Sequence, residues 1–220
     1  MVCILELFSG THSIGKVAKE RGYEVVSLDR DLPATIKADI MTWDYKAAYP
    51  VGHFDIIAAS PVCLWWSLLR GSNIGKKSRA HGGLPFTKEL IQQDIETFGK
   101  PMVDKVREII DYFNPTYWWI ENPKTGKMKS YILDLPFYDV DYCQYSDWGY
   151  KKSTRFWTNI TIFTPKVCDL KTCPNVVGTR HNKALGAVEK GKWGVEGTSK
   201  HDRYRIPPLL ITDLFNATGL

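Results

Sequence analysis

The sequence predicts a doubly wound, Rossmann-like α/β sheet followed by a small loop-rich region. Three observations predict it. Short apolar runs are each cut off by a polar or turn-forming residue, as in buried parallel strands. Stretches with helical spacing alternate with those runs through the first two-thirds of the chain, as βαβ units require. A later stretch, 161–205, carries Gly178, Gly186, Gly191, Gly194 and Gly197, many lysines and arginines, and few apolar runs. With 220 residues and a hydrophobic fraction of 44%, the chain can bury one substantial core.

Taken in order, residues 2–8 form an apolar run ending at Ser9-Gly10, a first strand. Helical spacing follows over 13–21, with Gly22 placed to cap it. Residues 24–28 make a second strand ending at Asp29, and 36–40 a short third segment. Residues 54–59 (FDIIAA) make another buried strand, stopped by Ser60-Pro61. Residues 88–113 hold a long amphipathic helix, with a break expected near Gly99-Lys100-Pro101. Residues 117–120 are the next strand, ending at Glu121-Asn122-Pro123. Residues 140–145 and 155–160 are expected to form a late hairpin. Ile206-Pro207-Pro208 opens a short C-terminal helix through Phe215, since proline suits a first helical turn.

In sheets of this class, ligands bind beyond the carboxyl ends of the strands. Ser9, Asp29, Asp39, Ser60, Cys63 and Glu121 all fall at that edge. Gly10 permits close backbone approach to a ligand, and the helix that follows offers free N–H groups. Asp29 is placed to accept hydrogen bonds from a ribose diol. A strict G-x-G-x-x-G is absent, so a dinucleotide site is only weakly signalled. Cys63, just past a strand end, could be presented as a nucleophile or lie buried as a structural thiol. Glu121, on the next strand end, could hold or deliver a proton, or simply form an ion pair.

The net charge of +5 permits a nucleic-acid partner without requiring one. Its distribution is more informative. Residues 64–88 hold five lysines and arginines and no acid, and residues 151–205 hold twelve against four acids. Either stretch could be a solvated face or a surface for phosphates. No apolar run reaches the roughly 18 residues of a membrane span, and no secretory signal precedes the first strand. Five cysteines, an odd number, fit a soluble protein in a reducing intracellular compartment. Cys168 and Cys173 with His181 raise zinc, but the spacing is loose and only three ligands are apparent. Asp169, His201 or Asp202 could be a fourth. Two reduced surface cysteines without a metal are the expectation.

Together, Phe8-Ser9-Gly10, Asp29, Asp39-Ile40, Pro61-Val62-Cys63 through Ser67, Glu121-Asn122 and Arg155 resemble the C5-cytosine DNA methyltransferase family. The order and spacing match over about residues 3–160, and weakly at the C terminus. The likeness is greatest to short viral or phage-type members. The resemblance implies a methyltransferase sheet, S-adenosylmethionine as cofactor and DNA as partner. It implies Cys63 as nucleophile, Glu121 as its proton partner at cytosine N3, and Arg155 holding the O2 side. Phe8, Ser9, Gly10, Ser13, Ile14, Asp29, Arg30, Asp39, Ile40, Ser60 and Pro61 would surround the cofactor. Ser67, Arg70, Lys76, Lys77, Arg79, Lys151 and Lys152 would meet DNA, with Arg70, Lys76, Lys77 and Arg79 on a mobile loop closing over it. Residues 1–160 would be the catalytic domain, 161–205 a small target-recognition insert, and 206–220 a helix packed on the catalytic domain. A monomer is expected, cytoplasmic if bacterial or phage-encoded, and in host cytoplasm or nucleus if viral.

The chain departs from the family pattern at several places. Val62 stands for a second proline, Leu64 for a glutamine, Trp65 for a proline and Pro123 for a valine. Ser153 stands for the first arginine of the arginine segment. Losing the proline either loosens Cys63 or is offset by packing of Trp65-Trp66. A methyltransferase of exocyclic amines, an RNA substrate, and a non-catalytic DNA- or cofactor-binding protein are the alternatives.

Overall fold

The computed structural model describes residues 1–186 and 196–220; the expected insert glycines Gly191 and Gly194 lie outside the described residues. A seven-stranded sheet forms the centre, in the order β3-β2-β1-β4-β5-β7-β6. The strands are β1 (Cys3–Leu7), β2 (Glu24–Asp29), β3 (Ile36–Lys37), β4 (Ile56–Ala59), β5 (Tyr117–Pro123), β6 (Phe137–Asp141) and β7 (Ser153–Thr158). β1 to β5 pair in parallel, while β7 runs antiparallel to both β5 and β6. From β1 the order runs outward to β2 on one side and to β4 on the other. The crevice of a doubly wound sheet opens at such a reversal. Ser9-Gly10 and Ser60-Pro61 leave the sheet there.

Both faces are covered, which is why β1 and β4 are apolar almost throughout and fully buried. Alternate residues of these strands point to opposite faces. Leu5, Leu7, Ile57 and Ala59 meet one cluster, built against α4 (Lys100–Phe113) through Val103, Val106, Ile109 and Phe113. Ile4, Ile56 and Ala58 meet the other, with Ile14 and Val17 of α1 (Ser13–Glu20). The C-terminal helix (Pro208–Thr218) joins this second cluster through Leu210, Ile211, Leu214 and Phe215. Arg21 ties that helix to the end of α1 by donating to Thr212 O and Asn216 Oδ1. No helix among the described residues is long and apolar enough to cross a membrane.

Two expected boundaries differ from what is observed. The long helix does not break at Pro101. It runs as α3 (Lys88–Asp94), a π turn (Ile95–Gly99) and α4 without interruption. Lys100 N–H reaches back to Ile95 O in the wider turn, and that turn absorbs the donor proline lacks. The hairpin β6–β7 also begins earlier than its apolar pattern suggests. Asp139 and Asp141 resemble turn residues, yet both are strand residues because β7 offers them partners. Asp139 sits opposite Arg155 and Asp141 opposite Ser153, and both pairs are hydrogen-bonded. Beyond β7 come the short antiparallel pair β8 (Val176–Val177) and β9 (Arg180–His181), and the parallel pair β10 (Lys183–Ala184) and β11 (Glu196–Gly197). Two short α-helices remain among the described residues: α2 (Tyr45–Ala48) before β4, and α5 (Lys200–Tyr204) before the C-terminal one, α6.

Candidate active site at the carboxyl edge of the sheet

The segment after β4 is held from three sides. Asn122, buried on β5, donates its side-chain N–H to Pro61 O at 2.8 Å. Lys127 N–H donates to Trp66 O at 2.8 Å. Trp66 is buried and stacks on Tyr131, with ring centroids 5.7 Å apart, while Trp65 stacks on Phe98 at 4.8 Å. Gly99 lets the π turn lie against them; a Cβ there would sit 3.1 Å from the Trp66 ring. Of the two consequences of Val62, packing by Trp65-Trp66 is the one realised. Cys63 is thereby presented, half-buried, from a pinned turn. Ser67 turns its hydroxyl to its own backbone, accepting from Leu69 N–H at 3.3 Å.

Glu121 stands on the adjacent strand, only 6% exposed. Tyr142 donates its hydroxyl to Glu121 Oε1 at 3.1 Å, and Lys152 Nζ lies 3.6 Å from the same oxygen. Lys152 also donates to Arg203 O at 3.1 Å and lies over the Tyr142 ring, 4.7 Å from its centroid. The charges of this group act on Cys63. Burial raises its thiol pKa above the ordinary value and the Glu121 charge raises it further, while Lys152 and Arg203 oppose them. Burial, then the Glu121 charge, holds the Tyr142 phenol well above its usual range. Cys63, Glu121, Tyr142, Lys152 and Arg203 thus form one electrostatic unit across the ends of two strands, the turn after β6 and α5.

The structure redistributes several expected cations. Arg155 is not in this unit. It makes a bidentate pair with Asp139, at 2.7 and 2.9 Å, with its guanidinium 3.5 Å over the Phe137 ring. The reason is register: Glu121 faces Phe156, so Arg155 lies opposite Asn122 and points to the other face. Lys152, expected on the DNA surface, is 7% exposed and stands beside Glu121 instead. Arg70, also expected to meet DNA, is 8% exposed, ion-paired with Asp94 and flanked by the Trp65 and Phe86 rings. His81 joins the same aspartate at 3.1 Å. Lys151 pairs with Asp141 at 3.1 Å. Lys76, Lys77 and Arg79 are exposed, along a stretch that two 3-10 turns (Leu68–Asn73 and Arg79–His81) shape.

The other half of the edge surrounds the end of β1. Phe8, Gly10 and His12 all have positive φ, at 58°, 48° and 56°. Two non-glycine residues in that region store strain, and such strain clusters at ligand sites. Gly10 N–H donates to Asp29 Oδ2 at 2.9 Å, and Asp31 and Leu32 N–H donate to Asp29 Oδ1. Asp29 therefore shapes the loop and keeps acceptor capacity on Oδ2. Ser9 is buried, and its hydroxyl has no hydrogen-bond partner. Asp39 accepts from Met41 N–H and lies 3.7 Å from Arg30. Ile40 is buried beneath it in the core. Ser13 accepts from Ile206 N–H, and Ile14 packs in the core beside the C-terminal helix. Those two brace the loop from behind. Ser60 is half-buried and Pro61 buried at the facing strand end.

Glu6 was not singled out from the sequence, although an acid inside the apolar run CILEL was a signal. It is 2% exposed, Oε1 accepts from Ile14 N–H at 3.1 Å, and Oε2 has no hydrogen-bond partner, with His12 Nδ1 3.8 Å away. Burial raises its pKa to about 7 against backbone hydrogen bonds from Gly15 and Ile14 that lower it. The unfolded chain loses this proton near pH 4.5 and the folded chain near 7. Its contribution to stability is thus full below pH 4.5 and lost as pH rises through 7. Glu6→Gln is expected to unfold at higher temperature than wild type at pH 8, with the difference shrinking towards pH 5. The scale is about 3 kcal/mol. Parallel melting curves of the two proteins across that range would remove this account. Tyr142 and Arg203 were also missed; no spacing marks Tyr142, and Arg203 lies beside the weakly matching C-terminal segment.

The seven-stranded order with its antiparallel seventh strand, and the two half-sites at its carboxyl edge, define a methyltransferase fold. The chain is 42% identical over 221 residues to the "Probable DNA (cytosine-5)-methyltransferase" of Frog virus 3 (isolate Goorha), covering 97% of this chain and 98% of that one. It belongs to the DNA (cytosine-5)-methyltransferase family. No family model matches it. Among solved structures, the Entamoeba histolytica methyltransferase EhMeth is 12% identical, with 76% of this chain and 56% of that one covered and a TM-score of 0.49. A Spodoptera frugiperda DNMT2 mutant is 18% identical, with 83% and 58% covered and a TM-score of 0.46. The chain spans little more than half the length of these solved structures. Family membership implies S-adenosylmethionine as the methyl source.

Proposed function

We propose that this protein transfers a methyl group from S-adenosylmethionine to C5 of cytosine in DNA, through a covalent bond between Cys63 and C6 of the base. The observation that carries it is the coupling of Cys63 to Glu121 and Lys152 at adjacent strand ends. The cofactor fits the other half of the edge. The strained turn, the unpartnered Ser9 hydroxyl and the spare Oδ2 capacity of Asp29 suit a polar ligand there, with Arg30 and Asp39 at its rim. When bound, the cofactor supplies an electrophilic methyl sulfonium.

Cytosine C5 is too weak a nucleophile to attack that methyl unaided. Cys63 loses its proton and its sulfur adds to C6, which breaks the 5,6 double bond and makes C5 nucleophilic. The electrons that move into the ring leave charge at N3, and a proton delivered there by Glu121 neutralises it. The proton leaving Cys63 and the one arriving at N3 balance through this carboxyl group. Lys152 and Tyr142 hold Glu121 in place. After C5 gains the methyl group, water removes the C5 proton, the 5,6 double bond re-forms as Cys63 leaves as thiolate, and N3 returns its proton to Glu121. The base must first leave the duplex stack, at a cost of a few kcal/mol. Lys76, Lys77 and Arg79, all exposed, would meet phosphates, so binding should weaken steeply with salt.

The test is mass analysis of nucleosides from DNA and RNA incubated with the protein and cofactor. 5-Methylcytosine from DNA is expected; N4-methylcytosine, N6-methyladenine or methylation of RNA alone would overturn the proposal. Lys152 carries its own prediction. It lowers the Cys63 pKa, so Lys152→Met should move the rising limb of the pH–rate profile to higher pH and slow turnover at neutral pH. A limb that stays in place would show that Lys152 does not tune the thiol.

A further inference from the structure

Cys168 and Cys173 are expected as two reduced surface cysteines, but Cys173 is buried, and Cys143 joins them and His181. The Sγ atoms of Cys143, Cys168 and Cys173 and a ring nitrogen of His181 all lie within 4.8 Å of one another. His181 Nε2 is 3.6 Å from Cys168 Sγ and 3.5 Å from Cys173 Sγ. Tetrahedral zinc with sulfur at about 2.3 Å and nitrogen at about 2.0–2.1 Å separates these ligand atoms by about 3.6 Å. The cluster therefore has the ligand types, number and spacing of a closed structural zinc site. We propose that these four residues bind one zinc ion, independently of the methyl-transfer chemistry.

The surroundings are built to hold this geometry. Cys143 follows β6, whereas Cys168, Cys173 and His181 belong to the region after β7, so the ligands come from two separate segments. Asn175, 4% exposed, clamps them: its Nδ2 donates to Cys143 O and Ser146 O, and its Oδ1 accepts from Gly149 N–H. The β8–β9 pair sets Val176 opposite His181 and so returns the histidine to the cysteines. Asp141 accepts from Cys168 N–H at 2.8 Å and from Lys151, whose charge lies close to Cys168 and Cys143. Three thiolates and a neutral imidazole around Zn²⁺ leave one net negative charge, which Lys151 offsets. Binding would release three thiol protons and reduce or oxidise nothing.

The sequence points to three of the ligands but conceals the fourth, because Cys143 lies far from them in the chain. Its role would be to fasten the basic region after β7 to the sheet. The fastening point is next to Tyr142, which holds Glu121.

Full-length protein would be purified under reducing conditions, equilibrated with zinc, passed through a desalting column and analysed for metal. One zinc per chain is expected, with Cys168→Ala/Cys173→Ala retaining less than a tenth of that. Cobalt in place of zinc should give the intense visible bands and sulfur charge-transfer absorption of a tetrahedral thiolate site. His181→Cys should keep the metal and strengthen the charge-transfer bands, whereas His181→Ala should weaken retention. Wild type that holds no zinc or cobalt overturns the proposal without recourse to any variant. Equal metal in the double variant also overturns it.

Discussion

Cys63→Ala is expected to lower methyl transfer to DNA by at least about 10³-fold, the scale for removing a covalent nucleophile. Affinity for S-adenosylmethionine should be nearly unchanged. The separation follows from the site's layout. Most of the proposed cofactor residues follow β1, β2 and β3, with only Ser60 and Pro61 on the β4 side that carries Cys63. The turn carrying Cys63 is held by Asn122, Lys127 and the two tryptophans, none of which bonds the thiol. Removing one sulfur therefore leaves the turn intact. Calorimetry for the cofactor and label transfer for activity would separate the two effects. Turnover close to wild type would exclude Cys63 as the nucleophile.

Glu121→Gln is expected to slow transfer by about 10²–10⁴-fold, the range for losing a positioned proton donor. The direction of a second effect distinguishes proton delivery from general damage. The Glu121 charge raises the Cys63 pKa. Its removal should make the thiol more acidic and more readily alkylated by iodoacetamide near neutral pH. Slower methyl transfer with faster alkylation would mean that a more available thiolate cannot compensate for the lost proton. Slower alkylation in the variant would contradict the arrangement. Lys152 retains its bond to Arg203 O in this variant, but a buried cation loses its carboxylate, so the melting temperature should also fall.

The sheet edge was legible because its rules are local. An apolar run that ends in Ser-Gly, Asp or Ser-Pro announces a buried strand and its carboxyl end together. Alternation of strand and helix then brings Gly10, Asp29, Cys63 and Glu121 to one side. Cations were harder to read, because exposure depends on a partner distant in sequence. Arg70 is buried by Asp94, Lys152 by Glu121, and Arg155 is turned away by one step of strand register. In sequence, these three look the same as the exposed Lys76 and Lys77. The π turn at Ile95–Gly99 was hidden for a related reason. Proline marks a lost donor, but whether the helix breaks or widens depends on what packs there, and here Trp66 does.

The roles of the buried acids depend equally on tertiary context. Glu6 and Glu121 both end up with little exposure beside a loop at the carboxyl edge. One sits beneath the N-terminal turn of α1 with backbone donors, the other beside a phenol and an ammonium. That difference is why Glu6 is read as a support of the loop and Glu121 is proposed for the chemistry.

The most direct measurement is trapping on DNA in which cytosine is replaced by 5-fluorocytosine. Fluorine at C5 cannot leave as a cation, so the adduct formed after methyl transfer cannot resolve. Wild type with S-adenosylmethionine should give a complex that survives denaturing electrophoresis, with the DNA attached to the peptide containing Cys63. Cys63→Ser should give none. A wild-type adduct at another residue, or equal trapping by Cys63→Ser, would contradict the assignment of Cys63 as the nucleophile.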